Sequence, residues 1–274
     1  MQFAQRLQKR PLARKLSNSA VEKWRSDLAS WAIPDEILAQ AEVPPWFHPA
    51  ALFALPEKIW DSPSHQRARE AMPDGGTVLD IGCGGGIAAF AIAPPAAKVI
   101  GVDHQLEMLE MFQANAIDRN LEVETFQGFW PAIAESVPQA DVVTVHHVVY
   151  NVGDIKPFIE ALISHARKRV VLELPLVHPM TPRSKGWKHF WNLERPTSPT
   201  ADDFLGVLKE LGIKANLEKF TGRILLDEGE DDRVEYTRMR LCLPESRRDE
   251  IVEFLKTDPS PTSRELAVVW WDIV

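Results

Sequence analysis

Four glycines follow an acid in Asp80-Ile81-Gly82-Cys83-Gly84-Gly85-Gly86, directly after the apolar run Val78-Leu79. Glycines in such a turn let backbone amides approach a ligand closely, and a helix N-terminus behind them presents further N–H groups. The acid discriminates among ligands: a carboxylate ahead of the glycines repels a pyrophosphate but not a cationic amino-acid group. The spacing points the same way, because the third glycine of G-x-G-x-x-G, counted from Gly82, would fall on Ile87. A second acid, Asp103, closes the next apolar run, where a carboxylate can accept both hydroxyls of a ribose. His104 follows it. Further along, Val145-His146-His147-Val148-Val149-Tyr150 offers two imidazoles and a phenol, side chains suited to moving a proton from an hydroxyl, thiol or amine.

The pattern Asp-x-Gly-x-Gly-x-Gly with Asp103 behind it resembles the class I methyltransferases that use S-adenosylmethionine (SAM). The resemblance implies that Gly82, Cys83, Gly84 and Gly86 lie along the methionine part of SAM, with Asp80 near its amino group. It implies ribose binding by Asp103 and an adenine contact by His104. Family members often carry Gly-Asp after the third strand; here Gln127-Gly128-Phe129-Trp130 occupies that place without the acid. Either Phe129 or Trp130 stacks on the purine while backbone atoms read its edge, or both rings are core. The segment from Val145 to Val152 resembles one found in many small-molecule and some RNA methyltransferases, and lacks the Asn/Asp-Pro-Pro-Tyr signature of base methylation. His146, His147 and Tyr150 are the candidate proton acceptors, with His146 also near the cofactor. Strand parity puts His146 and His147 on opposite faces, so at most one faces the acceptor. Methyl transfer from a sulfonium needs alignment more than acid catalysis, and a base matters only for a protonated acceptor. Tyr150-Asn151-Val152, the stretch 195–200, the stretch 240–244 and Trp270-Trp271-Asp272 resemble bacterial proteins known only as SAM-dependent methyltransferases of unassigned substrate.

Positioning these residues requires an alternating α/β fold. Apolar runs at 77–80, 98–103, 121–127, 141–147 and 169–175 read as strands, separated by helical patterns at 87–93, 106–118 and 154–168. Such alternation predicts a Rossmann-like, doubly wound, mostly parallel sheet of seven strands, with right-handed crossovers putting the strands' C-terminal ends on one ligand edge. Residues 213–220 read as the sixth strand and 266–273 as a last, antiparallel one. Residues 233–243 fit a helix or a strand, and 244–256 a helix. Thr200 and Asp203 make a capping-box start for a helix stopping at Gly212. Residues 1–76 read as a helical N-terminal extension, with Asn18 or Ser19 capping a helix to Ala32 and a proline-rich crossing loop at 44–49. Residues 77–274 read as the SAM-binding domain, with 176–199 a lid-like insert after strand five. In that insert Trp187, Phe190 and Trp191 have the spacing of a short helix seated on a core, and His178, His189 and Arg195 accompany them.

Composition narrows the function classes. At 274 residues, 45% hydrophobic and 26% charged, the chain is an ordinary globular sequence. A net charge of −8 argues against one broad basic nucleic-acid face. The acid-free start with Arg6, Lys9, Arg10, Arg14 and Lys15, together with Arg183, Lys185, Lys188 and Arg195, keeps an RNA acceptor as the alternative to a small molecule. The two cysteines, Cys83 and Cys242, read as reduced thiols of a cytoplasmic protein, a monomer or a homodimer without membrane contact. No His/Cys/Asp/Glu set has metal-ligand spacing, and the acid run 227–232 reads as a solvated loop. An NAD(P)-dependent oxidoreductase would require G-x-G-x-x-G, and a non-catalytic SAM-binding domain stays open.

Overall fold

The computed structural model describes residues 19–46, 53–223, 229–259 and 263–274. One sheet has the strand order β3-β2-β1-β4-β5-β7-β6. Its members are β1 (Thr77–Ile81), β2 (Lys98–Asp103), β3 (Glu122–Gln127), β4 (Ala140–His146), β5 (Ala166–Pro175), β6 (Asn216–Arg223) and β7 (Ser263–Asp272). The pairings among β1 to β5 are parallel, and β7 runs antiparallel to both β5 and β6. The helices are α1 (Ala20–Ala29), α2 (Asp35–Leu38), α3 (Pro63–Ala71), α4 (Ile87–Ala91), α5 (Leu106–Asp118), α6 (Ile155–His165), α7 (Ser184–Trp191), α8 (Ala201–Glu210), α9 (Glu230–Arg240) and α10 (Arg248–Thr257). The central strands are rich in Val, Ile and Leu because both faces are covered, with Asp80, Thr144 and Glu173 as buried polar exceptions.

Side-chain alternation divides each strand between two cores. Leu79, Ile81, Val143, Val145, Leu172 and Leu174 face α1, α6 and α8, where Trp24, Phe158, Ile159 and Phe204 are buried. Val78, Val142, Val171 and Val268 face α3, α4 and α5, against Ala68, Phe90 and Phe112. By the same period of two, Asp80, Thr144, Glu173 and Arg264 lie on the second face. A third cluster joins α2, α7, α9 and α10 around Ile37, Trp187, Phe190, Val234 and Ile251. The segment 176–199 is therefore seated through Trp187 and Phe190 on its own small core.

Most predicted boundaries fall within a few residues, and the departures have local causes. The helix beginning at 155 ends at His165, whose ring nitrogen Nδ1 lies 2.8 Å from the Ala161 carbonyl oxygen. The Arg167-Lys168-Arg169 run then extends β5 rather than the helix. The sixth strand starts at Asn216, later than expected, because Gly212 takes a left-handed φ of 77° and Ile213 N–H donates to Leu208 O, consuming these residues in the helix exit. The ambiguous stretch 233–243 belongs to α9 and its exit, with Val234, Arg238 and Leu241 buried at helical spacing. Thr200 and Asp203 form the expected capping box. Ser19 caps α1, which ends at Ala29 rather than Ala32. Asn18, the basic start of the chain, residues 47–49 of the proline-rich loop and residues 227–228 of the acid run lie outside the described residues. Asp231 of that run pairs with Arg248 at 2.7 Å.

Candidate active site

The turn leaving β1 is built on its neighbour strand. Gly82 and Cys83 N–H both donate to Val102 O, at 2.8 and 3.1 Å, and Gly84 N–H donates to Asp103 Oδ2 at 3.1 Å. Gly82, Gly84 and Gly86 hold φ of 71°, 49° and 95°, values that disfavour any residue with a Cβ. Space is short as well: a Cβ on Gly82 would stand 2.5 Å from Val148 Cγ2, and one on Gly84 2.9 Å from the Phe53 ring. Cys83 joins through its backbone, its thiol being buried beside Gly101 and pushed well above the ordinary thiol range by burial.

Asp80 lies beneath this turn, 2% exposed. Its Oδ1 accepts from Thr144 Oγ1 at 2.9 Å, while Oδ2 is buried without a protein partner. Burial pushes the carboxyl up to about 7, the Thr144 and Ala89 donors opposing and the Asp103 charge adding to the rise. Asp103, at the end of β2, is 9% exposed and receives Gln105 N–H on Oδ1 at 3.0 Å. Oδ1 also lies 3.3 Å from His104 Nδ1, while Oδ2 holds one backbone donor and retains a lone pair for another.

The structure separates residues the sequence left together. His104 and Phe129 stack on one another with ring centroids 4.8 Å apart, and Phe129 is 69% exposed. Trp130 turns instead toward α6, its Nε1 donating to Phe158 O at 3.4 Å and its ring meeting His165 edge-on. Phe129 is thus exposed beside His104 at the C-terminal edge of the sheet, while Trp130 packs against α6. Gln127 donates to His104 O and Gly128 N–H to Asp103 O, so this stretch braces the end of β2.

At the end of β4 the parity argument fails. His147 leaves the strand with φ of 61°, which turns its ring back toward the face carrying Glu173. Its Nε2 lies 3.2 Å from Glu173 Oε1 and 3.1 Å from Arg264 Nη2. His146 stacks on His65 of α3 at 5.4 Å, and burial pushes it down to about 3, keeping the ring neutral. Both imidazoles therefore border one cluster, rather than opposite faces. Tyr150 stands apart from it: its hydroxyl donates to Pro175 O at 2.8 Å, its ring stacks on Trp24, and burial pushes its pKa up, so it packs rather than accepts protons.

Sequence reasoning missed Glu173, Ser64, His65 and Arg264. Burial alone would raise the Glu173 carboxyl, but His147, the nearby His146 and the Ser64 hydroxyl hold it well below the ordinary range. The available signal was one acid inside Val170-Val171-Leu172-Glu173-Leu174, a strand otherwise apolar. The insert residues serve packing. His178 stacks on Trp31 at 3.8 Å, Arg195 lies over Trp31 and Trp187, and His189 packs on Phe190 and Phe254. Trp191 Nε1 donates to Leu241 O. Among the described residues no group of three or more His, Cys, Asp or Glu side chains is arranged to hold a metal ion, and no helix is long and apolar enough to cross a membrane.

Residues 78–169 match the family model described as a methyltransferase domain. A ubiquinone biosynthesis O-methyltransferase of Brucella anthropi is 32% identical over 115 residues, 42% of this chain and 46% of the relative. A cypemycin N-terminal methyltransferase of a Streptomyces species is 45% identical over 49 residues, 18% of this chain and 20% of the relative. The matched stretches span less than half the length of these curated relatives. Among solved structures, the BH2331 protein of Bacillus halodurans, provisionally described as a methyltransferase, has a TM-score of 0.54 at 19% identity, covering 76% of this chain and 96% of that one. The YcgJ protein of Bacillus subtilis has a TM-score of 0.52 at 20% identity, covering 76% and 97%. Both likenesses concern the fold.

The residues present fit SAM. The unpartnered Oδ2 of Asp80 is a buried acceptor suited to an ammonium, the glycine turn leaves no room for side chains, and Asp103 Oδ2 keeps a lone pair for a hydroxyl. Turn, strand order and family match lead to one conclusion: residues 78–169 match a methyltransferase domain, set in a seven-stranded, mostly parallel sheet.

Proposed function

We propose that this protein transfers the methyl group of SAM to a small-molecule acceptor. The observation that carries the reading is the buried Asp80 carboxylate with one unpartnered oxygen beneath the three left-handed glycines. When bound, SAM supplies a methyl group already activated on a sulfonium. The chain's part is to hold, align and exclude water: Asp80 receives the amino group, Asp103 the ribose hydroxyls, and His104 with Phe129 flank the purine. His147, whose Nε2 lies between Arg264 and Glu173, is the proton-handling side chain nearest this edge, with His146 a neutral neighbour.

Support for a small acceptor over RNA comes from charge. Lys185 pairs with Asp258 and Lys188 with Glu194, each at 2.7 Å, so the basic insert is locally neutralised. One relative named above is described as an O-methyltransferase of ubiquinone biosynthesis. Incubating the protein with methyl-labelled SAM and fractionated metabolites and RNA tests the proposal. Label should enter a low-molecular-weight fraction. Label confined to RNA would overturn the small-molecule part, and absence of SAM binding by calorimetry would overturn the whole.

A further inference from the structure

Arg264 forms no ion pair among the described residues, although Glu173 stands near it across His147. Because β7 is antiparallel, its first residues arrive beside the last residues of β5, with Leu266 opposite Pro175, at the ligand edge. The guanidinium Nη2 lies 3.1 Å from His147 Nε2, and its Nε is buried without a partner. Burial pushes its pKa down, with the charge of nearby Glu173 opposing. Guanidinium groups are costly to bury without an anion, and the group they fit best is a planar carboxylate that accepts two parallel N–H bonds.

The histidines of the same cluster also carry unpartnered ring nitrogens. His65, 3% exposed, accepts Ser62 N–H on Nδ1, which leaves its proton on Nε2, and that atom is buried and unpartnered. His147 Nε2 lies between Arg264 Nη2 at 3.1 Å and Glu173 Oε1 at 3.2 Å, and its Nδ1 is buried without a protein partner. These rings connect through His146, at 5.4 Å from His65 and 6.4 Å from His147. A buried donor without its hydrogen bond is costly, and a bound oxygen ligand removes that cost. Glu173, the one carboxylate of the cluster, is held by Ser64 and borders His147.

We propose that Arg264, through its unpartnered Nε–H, anchors a carboxylate carried by the methyl acceptor. This rests on the methyltransferase reading for the word acceptor, but the anion site itself stands on these residues.

The test uses benzoate as probe and benzyl alcohol as its uncharged counterpart. Both are titrated into the full chain while the Arg264 Nε–H resonance is followed by nuclear magnetic resonance. Benzoate should move that resonance and benzyl alcohol should not. Arg264→Met should weaken benzoate by about ten-fold or more, the scale of one charge-assisted bond, while Arg264→Lys retains part of it. An unmoved resonance in the wild type, or equal benzoate affinity in Arg264→Met, overturns the proposal. Should Arg264→Met not fold, the wild-type titration decides alone. SAM calorimetry on the same sample separates the two readings: no SAM binding sinks the methyltransferase proposal, while the benzoate result still judges the anion site.

Discussion

Burial moves the Asp80 carboxyl up to about 7, and this has a measurable sign. In the unfolded chain the group ionises near 3.8, whereas the fold keeps it protonated to about 7. Between these values the folded state binds the extra proton, so stability falls as pH rises through that window. Without SAM, the protein should lose on the order of 2–4 kcal/mol from pH 4 to pH 7.5 on this account, and Asp80→Asn should flatten that slope in denaturant titrations. An ammonium placed at Oδ2 would re-ionise the group. SAM binding at pH 6.5 should then release a proton, visible as a binding enthalpy that changes with buffer, and Asp80→Asn should abolish the release. Asp103 acts differently, because both its oxygens already brace backbone N–H groups. Asp103→Ala should weaken SAM by about 1.5–3 kcal/mol by calorimetry, through lost ligand bonds and a loosened Gly84 amide together. Unchanged affinity would place the ribose elsewhere.

Among the elements, the glycine turn is the most exacting. Gly84 holds φ of 49° with the Phe53 ring in contact range, so Gly84→Val combines backbone strain with obstruction. The variant should stay folded by circular dichroism and show no SAM binding; normal affinity would move the cradle to another turn. This turn was legible in the sequence because its chemistry is local: acid, glycines and helix start are consecutive. The strands were legible for a related reason, their Val/Ile/Leu runs being long and sharply bounded. What the sequence concealed depends on partners far along the chain. Glu173 meets Ser64 across more than a hundred residues, and Arg264 reaches His147 only because β7 reverses direction. His147 was misplaced because parity holds only while the backbone stays extended, and its φ of 61° ends that condition. Phe129 and Trp130 could not be told apart by type, since adjacent aromatic residues point to different surroundings once the strand has ended.

For the whole molecule, the N-terminal helix is part of the main core rather than an appendage. Trp24 is fully buried, donates to Val152 O at 2.9 Å, and lies with its ring centroid 5.6 Å from both Tyr150 and Phe204. Trp24→Ala should cost about 3–5 kcal/mol in denaturant titration, whereas replacing Trp46, which is 63% exposed, should change stability little. Equal effects would mean that α1 does not share the cooperative unit. The two thiols carry a different consequence. Cys83 sits inside the cofactor turn yet turns its sulfur inward against Gly101, and Cys242 is also buried, both with pKa values raised by burial. Nucleophilic attack requires an accessible thiolate. Covalent inhibitors carrying electrophilic warheads, designed for a cysteine at this turn, would therefore find nothing to react with in the native protein, and a cysteine introduced on the surface would be the sole point of attachment for a maleimide dye.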